Sequence, residues 1–255
     1  MSWKGKVVIV TGGGSGIGKA VCHQAASRGA RVVIVNRTAQ KGEDTAKEIT
    51  NEGFDAIALQ GDVSSEKDIQ RIVLEIINRY GKIDVLINSA AVCPQVRLTE
   101  LSLEQWNSVI TNNLTSVFLF CREVIPHMLQ AGGGNIVNVS SVHAQGTLEG
   151  YSAYAASKGG IVSLTRAIAL DFAKQNIRVN TVLPGAVHTP MLESSIKNLD
   201  TPRDQIMQSW NEAQPIGRVG TPDEIAAVIL FAASQENSFM TGATLVSDGG
   251  MTAEL

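Results

Sequence analysis

The sequence has few cysteines, and their spacing fits neither a disulfide framework nor a metal site. Cys22, Cys93 and Cys121 are the three cysteines of a 255-residue chain, and no two of them form a C-x-x-C pair. We therefore expect reduced thiols and a cytoplasmic location, since disulfides persist mainly in oxidising compartments. The four histidines form no H-E-x-x-H pair or similar group, so the sequence predicts no metal site.

Long apolar runs and an excess of basic residues are also missing. The first apolar run, V-V-I-V, ends at glycines after a few residues and is too short for the core of a signal peptide. No run reaches the roughly 18 apolar residues that a membrane span needs. The formal net charge of −3 provides no basic surface for nucleic acid. We therefore expect a small-molecule partner, with neither nucleic acid nor membrane.

The hydrophobic content is sufficient for one large α/β domain over residues 1–255. Hydrophobic residues make up 44% of the chain and charged residues 18%. Short β-branched runs alternate with segments of helical periodicity, which predicts a doubly wound parallel sheet. The predicted strands are 6–10, 31–35, 55–59, 83–87, 135–139, 177–182 and 244–246. The predicted helices are one that ends at Gly29, then 39–52, 66–80, 102–129, 151–175 and 222–233.

One stretch, residues 189–220, interrupts the alternation. It is polar, contains several prolines and is only weakly periodic. An irregular insertion of this kind before the last helix and strand is a candidate substrate lid, and the alternative is a solvated helical excursion.

A glycine-rich turn, T-G-G-G-S-G-I-G, follows the first predicted strand. Backbone N–H groups and the positive end of a helix dipole at such a turn bind a pyrophosphate. The spacing of Gly12, Gly16 and Gly18 is G-x-x-x-G-x-G, which differs from the G-x-G-x-x-G pattern. After the first strand of a doubly wound sheet, the turn predicts a dinucleotide site.

The residues that end the second and third strands indicate which dinucleotide is bound. An acid at the end of the second strand binds the ribose of NAD, and an arginine accommodates the 2′-phosphate of NADP. Here the pair is Asn36-Arg37, a neutral amide beside a guanidinium that can bind a phosphate through two hydrogen bonds. This favours NADP(H), while a hydrogen bond from Asn36 to an unmodified ribose keeps NAD(H) as the alternative. Asp62 and Val63 follow the third strand, where side chains contact adenine.

Tyr154 and Lys158 lie four residues apart at the start of a predicted helix, so both project from one face. Ser140 and Ser141 precede the tyrosine by fourteen and thirteen residues. An ammonium beside a phenol favours the phenolate and lowers the phenol pKa. The same spacing also fits an ordinary surface helix, so the spacing alone does not identify a catalytic pair.

Six motifs together resemble the short-chain dehydrogenase/reductase family along essentially the whole chain. They are T-G-G-G-S-G-I-G at 11–18, N-S-A-A at 88–91, Asn113, S-S at 140–141, Y-A-A-S-K at 154–158 and P-G-A-V-H-T at 184–189. The resemblance implies a Rossmann-like fold, an NAD(P)-dependent oxidoreductase and a homotetramer. The family's N-N-A-G motif reads N-S-A-A here, so we expect altered packing at the end of the fourth strand.

The resemblance also implies a catalytic tetrad of Asn113, Ser141, Tyr154 and Lys158. Ser141 is preferred to Ser140 because the family's serine lies thirteen residues before the tyrosine. In this scheme the tyrosine is the acid–base group, the lysine stabilises its phenolate, the serine polarises the carbonyl, and the asparagine kinks its helix around a proton-relaying water. The implied cofactor-binding residues are Thr11, Gly12, Ser15, Gly16, Ile17, Gly18, Asn36, Arg37, Asp62, Val63, Asn88, Tyr154, Lys158, Pro184, Gly185, Val187 and Thr189.

Specificity for the substrate is expected from three segments, residues 92–97, 142–151 and 186–210. Their hydrogen-bonding side chains suit a sugar or polyol better than a long apolar substrate. The alternative is a 3-oxoacyl thioester reductase, and a remote alternative is a non-catalytic cofactor-sensing protein. The candidate substrate-binding residues are His143, Gln145, Glu149, Tyr151 and His188.

Overall fold

A computed structural model of the chain describes residues 3–196 and 201–253. Within these ranges, seven parallel strands form one sheet in the order β3-β2-β1-β4-β5-β6-β7. The predicted doubly wound α/β fold is therefore confirmed. In chain order the strands are β1 Val7–Thr11, β2 Arg31–Asn36, β3 Asp55–Gln60, β4 Val85–Asn88, β5 Gly134–Val139, β6 Ile177–Pro184 and β7 Thr244–Ser247.

Helices connect the strands and cover both faces of the sheet. In the described part of the chain, no helix is both long and apolar enough to cross a membrane. The α-helices are α1 Gly16–Ser27, α2 Ala39–Asn51, α3 Glu66–Tyr80, α4 Leu103–Ile110, α5 Ser116–Gln130, α6 Ser152–Phe172, α7 Pro190–Ile196, α8 Arg203–Glu212 and α9 Pro222–Ala233.

Two hydrophobic cores lie on opposite faces of the sheet. In β1, Val8 and Val10 pack with α1 and α9, and Val7 and Ile9 pack with α3, α5 and α6. Because all four side chains are fully buried, a continuous β-branched run replaces the alternation seen in half-exposed strands. Each such side chain contributes roughly 1.5–3 kcal/mol through burial.

The strand starts differ from the predicted ones where charged residues precede the sheet. Strand β4 begins at Val85 rather than residue 83, and β1 at Val7 rather than residue 6. Asp84 accepts hydrogen bonds from Lys6 Nζ at 2.8 Å and from the Val7 N–H at 2.9 Å. The carboxylate therefore takes the Val7 N–H, while the Asp84 backbone still bonds to Val7 and Asn135.

The predicted helix over 102–129 is wrong as one continuous helix. A π-helical turn, Thr111–Thr115, separates α4 from α5. The predicted helix over 151–175 likewise ends at Phe172 and continues as a 3₁₀ turn, Ala173–Gln175. Single-turn π segments occur frequently at functional sites, and this one contains Asn113.

Three helices, α3, α4 and α9, begin after a Ser or Thr whose side chain caps the first turn. Full capping boxes form at Ser102 with Gln105 and at Thr221 with Glu224. At α3 only half of a box forms: Ser65 accepts from the Asp68 N–H, but the Asp68 carboxylate accepts from the Asp62 N–H at 2.9 Å. The carboxylate thus fixes the end of β3 rather than the start of its own helix.

The stretch predicted as a lid contains α7 and α8. Glu193 of α7 pairs with Arg203 of α8 at 2.7 Å, and a β-bridge joins Val187 to Gly220. Residues 197–200 of the predicted lid lie outside the described residues. Closure of this stretch over a substrate remains a prediction.

Candidate active site

The carboxyl ends of the strands open into one cleft of about 690 Å³. Its walls come from the turn after β1, the residues that follow β2 to β6, and helices α7 and α8. Strand β1 lies between β2 and β4, so the chain changes direction across the sheet at this point, where doubly wound folds bind ligands. Among the described residues, no cluster of three or more His, Cys, Asp or Glu is placed to hold a metal ion.

The glycine turn forms a cradle whose shape excludes side chains. Gly12 and Gly16 have positive φ angles of 70° and 53°. A Cβ on Gly18 would lie 2.5 Å from the Gly12 carbonyl oxygen, so the turn closes only with glycine there. Helix α1 begins directly after the turn, and Ser15 at its N-cap makes no side-chain hydrogen bond to it within the described structure. The N–H groups of the first turn are therefore available to a pyrophosphate.

Polar and cationic residues surround the end of the cleft beyond β2 and β3. Arg37 and Lys41 both line it, and Asn36 donates to the Thr38 carbonyl at 2.9 Å. Burial opposes ionisation of Asp62, but hydrogen bonds from Ser64 and the charge of Arg37 lower its pKa overall. The residues present thus fit the adenosine half of a dinucleotide. Lys41 is not among the predicted cofactor-binding residues, although its position in the first turn of α2 brings it near β2.

Two of the predicted cofactor-binding residues, Thr11 and Asn88, do not line the cleft but lie behind its wall. Thr11 Oγ1 accepts from the N–H groups of Ser89 and Ala90 at 3.0 and 3.1 Å. Asn88 donates to Asn138 Oδ1 at 2.9 Å. A Cβ on Gly12 would come within 3.0 Å of the Ala90 Cα. These contacts hold the N-S-A-A segment directly against the glycine turn.

Other predicted cofactor-binding residues lie on the cleft wall. The ones that line it are Gly12, Ser15, Gly16, Ile17, Gly18, Asn36, Arg37, Asp62, Val63, Tyr154, Lys158, Pro184, Gly185, Val187 and Thr189. Thr189 also lies close to the turn, since a Cβ on Gly16 would come within 3.2 Å of it. The loop after β6 therefore meets the loop after β1 across the cleft.

Ser141 follows β5, Tyr154 and Lys158 lie in the first two turns of α6, and all three line the same cleft. Tyr154 and Lys158 are buried, with 8% and 2% of their surfaces exposed. Lys158 Nζ lies 5.5 Å from the centre of the Tyr154 ring and donates to the Val139 carbonyl at 3.0 Å. The Ser141 side chain lies near enough to the Tyr154 phenol to lower its pKa, against the larger effect of burial. A phenol, an ammonium and an alcohol therefore meet in one buried corner.

Ser140 and Asn113 hold this corner in place. Ser140 Oγ donates to the Lys158 carbonyl at 2.8 Å, which joins the end of β5 to α6. Asn113 accepts from the Val92 N–H at 2.8 Å and donates to the Val92 carbonyl at 2.9 Å and to Ser157 Oγ at 3.1 Å. Asn113 thus links the π turn, the loop after β4 and the second turn of α6. The predicted proton-relaying water stays a prediction.

Burial controls protonation in the corner. It raises the pKa of Tyr154 well above the ordinary value, Cys93 adds to this, and the nearby Ser141 side chain opposes it. Burial also lowers the pKa of Lys158 to about 8 and raises that of Cys93 to about 11. The expected lowering of the Tyr154 pKa is therefore not found in the free protein, because desolvation by burial is the largest influence on the phenol. At neutral pH the phenol carries its proton.

The predicted substrate-binding residues divide into two groups. His143 and Tyr151 line the cleft, whereas Gln145, Glu149 and His188 do not. The Glu149 side chain is 89% exposed and pairs with Arg97 at 3.4 Å. His188 is also exposed, with Nδ1 3.8 Å from Glu193. The polar part of the wall is therefore smaller than the sequence indicates.

Apolar side chains that are not among the predicted substrate-binding residues complete the cleft, and four of them lie within the segments expected to determine specificity. They come from the loop before α6, from α7, from α8 and from the C-terminal segment, and no local motif marks them. These residues are Leu148, Met191, Leu192, Trp210, Ala213 and Met251. A pocket with one polar side and one apolar side suits a compact carbon skeleton.

Known proteins share both the sequence and the fold. The family described as enoyl-(acyl carrier protein) reductase matches residues 12–252. The 3-oxoacyl-[acyl-carrier-protein] reductase FabG of Chlamydia pneumoniae is 39% identical over 248 residues, which cover 97% of each chain. The match therefore extends over nearly the whole of both proteins.

Solved structures agree with this at the level of the fold. A Burkholderia xenovorans protein described as a short-chain dehydrogenase/reductase superimposes with a TM-score of 0.96 at 32% identity, covering 99% of this chain and 98% of that one. The aldohexose dehydrogenase of Thermoplasma acidophilum gives 0.90 at 32% identity, with 99% and 96% covered. The chain belongs to the short-chain dehydrogenase/reductase family, and is thus an oxidoreductase that uses NAD(P)(H) and acts on CH–OH or keto groups.

Proposed function

We propose that the protein transfers a hydride reversibly between NADP(H) and a secondary alcohol or ketone, with Tyr154 as the acid–base group. The observation that carries this is the buried corner of Ser141, Tyr154 and Lys158 at the edge of the glycine cradle. When bound, the nicotinamide supplies or accepts the hydride. The protein's task is to hold the substrate oxygen and to move its proton.

In the reducing direction, Ser141 donates a hydrogen bond to the carbonyl oxygen and orients the carbon. The oxygen becomes an alkoxide as the carbon is reduced, and the Tyr154 O–H bond breaks to protonate it. The raised pKa of Tyr154 keeps this proton in place at neutral pH until it is needed. The Lys158 ammonium then stabilises the phenolate, which recovers a proton from solvent.

Oxidation of an alcohol runs through the same groups in reverse. Tyr154 first has to lose its proton, and the pKa raised by burial makes this step unfavourable in the free protein. A charged Lys158 offsets the cost, and Asn113 holds α6 so that the two side chains stay together. We therefore propose Asn113 as a positioning member of the tetrad.

NADP(H) is the proposed cofactor, with NAD(H) as the alternative. Arg37 and Lys41 line the cleft and present two positive charges to a 2′-phosphate, and Asn36 adds no negative charge. We expect at least a tenfold higher kcat/KM for NADPH than for NADH, and we expect Arg37→Ala to reduce this ratio. Arg28→Ala, an exposed arginine outside the cleft, is the matched control. A tenfold preference for NADH would contradict the proposal.

The proposed substrate is a small hydroxylated ketone or its alcohol, the class to which sugars and polyols belong. His143 and Tyr151 support it, as does the similarity to the aldohexose dehydrogenase. The exposed positions of Gln145, Glu149 and His188 and the apolar wall favour a substrate with fewer hydroxyl groups than a full polyol. A 3-oxoacyl thioester is the second candidate, favoured by the 39% identity to FabG.

A panel of hydroxyketones, aldoses, polyols and acetoacetyl thioesters separates these candidates when NADPH or NADH absorbance is followed. We expect the highest kcat/KM on compact hydroxyketones. Activity confined to thioesters would replace the first candidate with the second. Cofactor binding without turnover of any compound would favour the non-catalytic cofactor-sensing alternative.

A homotetramer is the proposed assembly. Large apolar side chains are exposed on α5, α6 and α9, including Phe118 at 43%, Leu170 at 82% and Phe231 at 46%. Burial between subunits would remove these surfaces from water. Light scattering after gel filtration should give four times the chain mass, and a monomer would contradict the assembly.

A cytoplasmic location is proposed from the cysteines. All three lie in the described ranges and are free thiols, of which Cys22 and Cys121 are buried. Unpaired thiols suit a reducing compartment. Fractionation of cells that produce the protein tests this, and recovery from an oxidising compartment would contradict it.

A further inference from the structure

His143 lies on the cleft wall beside the proposed acid–base group. It belongs to a 3₁₀ turn, Val142–Ala144, which begins directly after Ser141. Its ring centre is 5.4 Å from that of Tyr154, with the planes at 79°, and 4.8 Å from that of Tyr151, with the planes at 47°. The imidazole is therefore packed against two tyrosines that face the cleft.

One hydrogen bond anchors the His143 ring and a second holds its backbone. Nδ1 lies 2.8 Å from Thr147 Oγ1, and the His143 backbone N–H donates to Ser141 Oγ at 3.3 Å. Among the residues that the structure describes, Nε2 has no protein hydrogen-bond partner. Burial lowers the pKa of His143, so the ring is mainly neutral at neutral pH. One nitrogen is thus anchored, and the other is left for a ligand.

We infer that His143 Nε2 binds a second oxygen substituent of the substrate, on a carbon close to the reacting carbonyl. This rests on the proposed function, in which Tyr154 holds the reacting oxygen. Because the two ring centres are 5.4 Å apart and both side chains line the cleft, a compact substrate that reaches the Tyr154 phenol also lies within reach of the His143 ring. The preferred substrates are therefore hydroxyketones or diketones of compact size, rather than ketones with one oxygen.

The anchor to Thr147 also determines which second oxygen is recognised. If Thr147 donates to Nδ1, the proton is on Nε2, and both a carbonyl and a hydroxyl can accept it. If Nδ1 donates to Thr147, Nε2 is an acceptor and binds only a hydroxyl. Comparison of 2-hydroxycyclohexanone with 2-methoxycyclohexanone, whose ether oxygen can only accept a hydrogen bond, distinguishes the two tautomers, and both results agree with a role for His143.

The test compares kcat/KM for 2-hydroxycyclohexanone and cyclohexanone with the same cofactor. We expect the wild type to favour the hydroxyketone by about tenfold or more, the size of one well-placed hydrogen bond in a pocket. In His143→Phe, which retains a ring between the tyrosines, the ratio should fall close to one. The fall should come mainly from the hydroxyketone.

A second pair of variants tests the anchor without changing the imidazole. Thr147→Val removes the hydroxyl at nearly constant shape and should reduce the substrate ratio, and Thr147→Ser keeps the hydroxyl and should preserve it. A simple loss of folding would lower the rates for both ketones in parallel and leave the ratio as it was.

The outcomes separate this inference from the proposed function. A wild-type ratio near one, or a high ratio that His143→Phe retains, overturns the role of His143 while ketone reduction stands. A protein that reduces neither ketone overturns both the inference and the ketone substrate class, and activity on acetoacetyl thioester then identifies the second candidate function.

Discussion

Replacing Lys158 with methionine should stabilise the free protein while it removes turnover. Only 2% of the surface of Lys158 is exposed, and this burial lowers the pKa of its ammonium from 10.5 to about 8. At pH 7 the folded protein therefore holds a charge in a poorly solvated position. Methionine has a similar length and carries no charge, so it relieves this penalty.

The expected gain follows from the two pKa values. A lysine with a pKa of 10.5 when unfolded and about 8 when folded destabilises the folded state at pH 7 by about 3 kcal/mol. The substitution also removes the hydrogen bond from Nζ to the Val139 carbonyl, which offsets about 1 kcal/mol of the expected gain in stability. A net gain of about 2 kcal/mol raises the Tm of a chain of this size by about 4–8 °C.

The sign of the pH dependence is also fixed. The unfolded chain binds more protons at Lys158 between pH 8 and pH 10.5, so the penalty is fully present below the folded pKa and disappears as the pH rises through this window. Cys93, with a pKa raised to about 11, and Tyr154 both remain mainly neutral there. The advantage of Lys158→Met should therefore be large at pH 7 and small at pH 10.

Thermal unfolding of the cofactor-free protein, followed by circular dichroism at pH 7 and pH 10, measures this difference. Lys47→Met on the exposed face of α2 is the matched control and should change the free energy of unfolding by less than about 0.5 kcal/mol. A lower Tm for Lys158→Met at pH 7, by the same amount at both pH values, would refute the reasoning from burial.

Two further predictions concern the cradle and a helix cap. Gly18→Ala should raise the dissociation constant for NADPH by at least about tenfold, measured by tryptophan fluorescence, because its Cβ forces the Gly12 carbonyl to move. Gly159→Ala, where a Cβ meets nothing within 4 Å, should leave that constant unchanged. Ser65→Ala removes the side-chain acceptor for the Asp68 N–H and should reduce the free energy of unfolding by about 1 kcal/mol in urea titrations; no change would exclude a stabilising cap.

Most of the sheet could be predicted because its strands are buried on both faces. In β1 and β2, continuous β-branched runs record this burial directly in the sequence. The apolar pattern continues across the π turn around Asn113, so only the family resemblance, which implies a kink there, indicated an irregularity. What marks the turn is a pair of hydrogen bonds to Val92, 21 residues away in the chain, which no local pattern encodes.

The same distinction holds for the site. Tyr154 and Lys158 belong to one helix, so their spacing alone puts them on one face. Glu149 is equally near to Tyr154 in sequence, but it does not line the cleft. Its side chain pairs instead with Arg97, 52 residues away in the chain. Met251 reaches the cleft only because the C-terminal segment folds over it, and this part of the wall required the structure.

Tyr154→Phe is the most direct test of the central claim that this phenol transfers the proton. The ring and its packing remain, so the dissociation constant for NADPH should stay within about twofold of the wild-type value. Turnover of the best ketone should fall by about 10²–10⁴, the contribution of a positioned acid–base group. Turnover near the wild-type rate in Tyr154→Phe, with cofactor binding intact, would contradict the account.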